Sequence, residues 1–130
     1  LANLCLHGVA AVKEDYLLAT LFYQLIYLFG LEVHAAADDA VGVLVVADGA
    51  NTLTAAAPGG FDPDSVVRQA QWDDALGTGD VAAIAGLSGV LGRVAYQVLA
   101  GLAGPDPKAT ELYRGAPYGV GYFVGTWTAQ

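Results

Sequence analysis

The sequence predicts an α+β fold, mainly α with a small β component: two long apolar helices, one β-hairpin, and an aromatic, glycine-rich C-terminal strand or arm. Three observations carry this. Apolar residues recur at helical spacing in YLLATLFYQLIYLFGLEVH (16–34) and in VAAIAGLSGVLGRVAYQVLAGLAG (81–104), which marks two helices with broad apolar faces. Residues 41–46 are short and β-branched and precede the turn pair Asp48-Gly49, a hairpin signal. PYGVGYFVGTWTAQ (117–130) interleaves aromatic rings with glycines, as strands do.

Taken in order, residues 2–12 are apolar and compatible with helix, and Glu14 and Asp15 then supply the acids that favour a helix start. The first long helix runs over about 14–37, with Gly30 inside it at a cost of about 1 kcal/mol relative to alanine. The hairpin covers about 41–56, residues 51–54 returning against 41–46. PGGFDPD (58–64) is a loop in which Asp62 caps and Pro63 opens the next helix, DSVVRQAQWDDAL, which stops at the glycines of GTGD. Asp80 caps the second long apolar helix, which Pro105 and Pro107 end, and residues 108–114 are read as one or two helical turns. The 130 residues fit a single domain, 1–130.

Composition bounds the function. Hydrophobic residues are 55% of the chain and charged residues 14%, against about 25% in an ordinary soluble domain. So little charge leaves apolar surface to face another subunit, a lipid or a ligand. The net charge of -8 comes from 13 acids and 5 bases with no basic cluster, which excludes nucleic acid as an expected partner. Cys5 is alone and forms no intrachain disulfide, so the compartment stays undecided. The opening LANLCLHGVAAVKED has no methionine and no basic leader, as expected of a processed N-terminus or of a domain cut from a longer chain.

Position along the helices gives candidate contact residues. Tyr16, Tyr23, Tyr27 and His34 fall on one stripe of the first helix, opposite Leu18, Leu21, Phe22, Leu25 and Phe29. Rings with polar tips suit a half-dry boundary such as a subunit interface or a ligand wall. In the second helix, Gly86 and Gly89 belong to a run of small residues that would form a groove for a close helix neighbour. Arg93 lies one turn before Gln97 in that helix. Hiding Arg93 in a bilayer costs roughly 2.5–3.5 kcal/mol, so membrane association is not favoured and burial in a protein assembly is. Tyr122 and Trp127, in the terminal aromatic segment, are placed to dock on a neighbour or on the chain's own core, with rings over the glycine gaps.

No catalytic set, metal site or cofactor is expected. The two histidines, His7 and His34, and the single Cys5 do not reach the four ligands of a zinc site, and neither Ser65 nor Ser88 sits in a nucleophile elbow. Paired carboxylates at Asp73 and Asp74 beside Trp72 are the one acid–base candidate, through partial burial. The function read from these features is a non-enzymatic structural or accessory subunit, acting through self-association (a homo-oligomer) or docking into a larger protein assembly. The alternative is a small protein that binds an apolar ligand between its helices, near Tyr16, Tyr23, Tyr27, His34 and Trp72.

Two fragments resemble pieces of known families. LVVADGAN (44–51) is similar to the aspartate–glycine fingerprint of flavin-dependent monooxygenases, in which the aspartate contacts the flavin ribityl chain. FVGTWTAQ (123–130) resembles the Gly-x-Trp strand that opens the barrel of lipocalins and avidins. Both are read as coincidences: the first lacks a glycine-rich βαβ fingerprint, and the second closes a largely helical chain.

Overall fold

The computed structural model describes residues 5–6 and 42–129. The expected helix over 14–37, with Tyr16, Tyr23, Tyr27 and His34, lies outside the described residues. Along the chain come β1 (Cys5–Leu6), β2 (Leu44–Val45), α1 (Pro63–Thr78), α2 (Val81–Gly86), α3 (Arg93–Ala103), β3 (Lys108–Gly115) and β4 (Tyr122–Thr128). The α+β class holds: helices stand beside a two-stranded antiparallel sheet, with a short parallel pair formed by β1 and β2.

Helix α1 organises the rest. Asp62 accepts from the Asp64 N–H at 3.0 Å and Pro63 opens the first turn, as local sequence dictates. Gly79 ends the helix at φ 72°, a left-handed conformation that glycine adopts without a Cβ penalty. On the buried face lie Ser65, Gln69, Trp72, Asp73 and Leu76, spaced by threes and fours. The core gathers Trp72, Ala75, Leu76, Ile84, Tyr96 and Ala100, with Phe123 and Trp127 packed on it from β4. Trp72 and Tyr96 meet with ring centroids 5.3 Å apart, tilted at 39°, and so join α1 to α3.

The second long helix does not form as one piece. Asp80 caps α2, accepting from the Ala83 N–H at 2.9 Å, but the helix ends at Gly86 and α3 begins only at Arg93. Tertiary bonds replace helical ones in the gap. The Ser88 carbonyl accepts the Trp72 indole N–H at 3.0 Å, the Gly92 N–H reaches the Asp48 carbonyl at 2.7 Å, and Gly89 turns at φ 80°. Three glycines between 86 and 92, each costing about 1 kcal/mol in a helix, make that helix cheap to interrupt. Arg93 therefore opens a helix instead of lying inside one, and the expected small-residue groove is absent. Gly86 faces open space, and Gly89 is covered by the Arg68 side chain.

The hairpin expected at 41–56 is corrected too. Asp48-Gly49 is no turn: the Gly49 N–H donates to the Gly121 carbonyl and the Gly121 N–H to the Ala50 carbonyl, both at 2.8 Å, and the Leu53 N–H donates to Gly119 O at 3.1 Å. This segment pairs with residues far away in sequence. The true hairpin is β3 with β4, so residues 108–114 are strand and not helical turns. Lys, Ala, Glu and Leu favour helix in isolation, but a cross-strand partner outweighs that weak preference.

Within the hairpin, Glu111 faces Gly125 and Tyr113 faces Val124, which leaves Leu112 as an extra residue on β3. The bulge has a geometric effect. Residues three apart in a regular strand point to opposite faces, and the inserted residue returns Arg114 to the face of Glu111.

Candidate functional site

A polar seam runs through the core where α1, the 47–53 segment and the approach to β4 converge. Gln69 is its centre. Its Oε1 accepts from the Ala50 N–H at 2.7 Å, and its Nε2 donates to Asp73 Oδ1 at 2.8 Å. Gly49 and Gly121, joined to each other by hydrogen bonding, clasp the carboxamide closely. A Cβ on Gly49 would stand 2.8 Å from Gln69 Cδ, and one on Gly121 would stand 2.6 Å from its Nε2. The glycines are there for close approach, since neither has a positive φ.

Asp73 is buried beside Gln69, and burial is the chief cause that raises its carboxyl above the ordinary aspartate range. The Gln69 hydrogen bond and then Arg114 oppose the shift, while Glu111 and Asp74 add to it. The Tyr96 phenol donates to the Ala47 carbonyl at 3.2 Å, and burial, Asp73 and Asp48 push its pKa up. Ser65 is fully buried and its hydroxyl turns to the Thr52 carbonyl at 2.9 Å and the Asp62 carbonyl at 2.6 Å. Ser65 and Tyr96 tie loop backbone to helix, Asp73 holds the Gln69 carboxamide, and Ser65 is not exposed as a nucleophile.

A second cluster clamps the hairpin to α1. The Arg114 guanidinium donates to Glu111 through Nε at 2.8 Å and Nη2 at 2.6 Å, and to Asp74 through Nη1 at 2.7 Å. Its hydrogen bond is the first cause that lowers the Glu111 pKa, and Glu111 followed by Asp74 raises that of Arg114. Asp73 and Asp74 thus part ways. Asp73 faces the core, while Asp74 is exposed and paired, so the two carboxylates do not converge on a common substrate position.

The sequence-derived contact residues are dispersed. Tyr16, Tyr23, Tyr27 and His34 lie outside the described residues. Gly86 and Arg93 bound the break between α2 and α3, and Gly89 lies within it. Trp127 faces α1 and donates its indole N–H to the Leu76 carbonyl at 2.8 Å, so it holds the hairpin in place. Tyr122 begins β4, opposite Gly115. Trp72, expected near a ligand pocket, is fully buried with its N–H in use. Rings do lie over glycine gaps: a Cβ at Gly125 would stand 2.7 Å from Phe123 Cε1.

The Gln69–Asp73 pair escaped a motif-based reading, yet a signal was present. Both stand on the stripe of α1 that carries Trp72 and Leu76, so two polar residues share an apolar face and require internal partners. Among the described residues, no group of three or more His, Cys, Asp or Glu is placed to hold a metal ion, and no helix is long and apolar enough to cross a membrane. No protein-family model matches the chain, and no similar curated protein or solved structure was found.

Proposed function

We propose that this chain is a non-enzymatic structural or accessory subunit that works by associating with copies of itself or by docking into a larger protein assembly. One observation carries the reading: among the described residues, the buried Ser65, Gln69, Asp73 and Tyr96 are engaged within the fold, whereas large apolar side chains are exposed. Leu44 is 63% exposed, Val67 62%, Leu112 65% and Tyr118 76%, on a chain with few charges to dilute them. On a chain with so little charge, these side chains offer apolar area for a partner to cover.

Helix α1 illustrates it. Its outer face carries Val66, Val67 and Ala70, next to the exposed Phe61. Exposed valines among the polar Asp64, Gln71 and Asp74 add apolar area that a partner can cover. The test is light scattering on the purified chain, in plain buffer and in mild detergent. A defined assembly in buffer that detergent dissociates is the expected result. A mass of one chain in both solvents overturns self-association.

A further inference from the structure

We propose that the outer edge of β4 receives β4 of a second copy, antiparallel and centred on Gly125, so that two hairpins join into one continuous sheet. This rests on the reading of the chain as a self-associating subunit and names one surface for it.

The N–H and C=O of one residue in an antiparallel strand point to the same side, and successive residues alternate. Gly121, just before β4, directs both groups away from β3, to Gly49 and Ala50. By alternation Tyr122, Val124 and Thr126 turn to β3, and Phe123, Gly125 and Trp127 turn outward. The 49–53 segment covers this edge only as far as Gly121. Among the described residues, no backbone hydrogen bond from outside the hairpin reaches Phe123, Gly125 or Trp127. Among the described residues, the pairing along this edge thus stops at Gly121 while β4 continues.

The two edges of the hairpin differ. β3 carries Lys108, Glu111 and Arg114 and is broken by the Leu112 bulge, the devices that discourage strand addition. β4 (YFVGTWT) has no charge and no proline, and its pairing to β3 is regular beyond the bulge. Self-pairing suits it. A copy of net charge -8 is repelled at most surfaces, but not along an uncharged strand. A two-fold axis at Gly125 sets Phe123 opposite Trp127 of the copy and Val124 opposite its Thr126, and it brings glycine against glycine at the centre.

Amide hydrogen exchange on the whole chain, read residue by residue at low and high protein concentration with the mass measured alongside, tests this. The expected result is that Phe123, Gly125 and Trp127 amides slow by about tenfold or more on assembly, while Val124 and Thr126 are protected throughout. Assembly that leaves those three amides fast overturns the β4 edge and spares the broader reading. A single-chain mass at every concentration overturns both. As a second measurement, Val124→Lys together with Thr126→Lys sets like charges opposite one another across the seam. Loss of assembly with Trp127 fluorescence retained supports the pairing, and an unchanged assembly overturns it.

Discussion

The carboxamide of Gln69 fills the space where a side chain on Gly121 would have to stand, with Nε2 2.6 Å from the Cβ position. Gly121 in turn bonds to the Gly49–Ala50 backbone, so one side chain fixes the crossing of two extended segments. Gly121→Ala forces Gln69 out of its contact with the Ala50 N–H. The expected loss is about 2–3 kcal/mol, a sum of overpacking and a broken buried hydrogen bond, measured by urea unfolding.

Gln69→Ala removes the same centre from the other side. The Ala50 N–H and the Asp73 carboxylate both lose their partner, at a cost of about 2–4 kcal/mol. Arg114→Ala, which breaks largely solvent-exposed pairs with Glu111 and Asp74 and a long bond to the Asp73 carbonyl, costs about 1 kcal/mol. The ordering of the two variants in one denaturation series is the check. Equal losses would mean that the seam does not hold the fold.

Much of α1 was legible from sequence because its signals are local: Asp62 before Pro63, and the glycines after Leu76. The C-terminal strand was legible from its aromatics and glycines. The hairpin at 41–56 was misread because Asp48-Gly49 carries a turn signal by itself, while its hydrogen-bond partners lie at Gly92 and Gly121. The continuous helix over 81–104 failed for the same reason. Its apolar period runs on through 87–92, but contacts with Trp72, Arg68 and Asp48 decide the backbone there. Of the candidate contact residues, Trp127 was found as an aromatic in a strand, but its inward direction depends on register against Ala109.

The raised pKa of Asp73 sets a direction for acid dependence. A carboxyl with a higher pKa folded than unfolded binds more protons in the native state, so its effect on stability is most favourable below the ordinary aspartate value of about 3.9 and declines as pH rises from there through the raised value. Asp73→Asn removes this loss and retains an oxygen for Gln69 Nε2. The variant is expected to be at least as stable as the parent at neutral pH, with a flatter stability profile above pH about 4. A melting series against pH reads the difference, and a large destabilisation at neutral pH contradicts the assignment.

Gly79 closes α1 at φ 72°, with the Pro107 carbonyl 2.9 Å from its Cβ position. Gly79→Ala meets both the left-handed penalty of about 1–2 kcal/mol and that backbone contact. The expected fall in melting temperature exceeds that of Gly86→Ala, where the Cβ enters open space and helix propensity improves. Parallel thermal melts of the two variants make the comparison.

The central claim is that the exposed apolar surface joins this chain to copies of itself. Sedimentation velocity of the unmodified chain over a wide range of concentration, in buffer without detergent, addresses it most directly. The expected result is a species of at least twice 13.3 kDa whose share grows with concentration. A single species of 13.3 kDa throughout would contradict it.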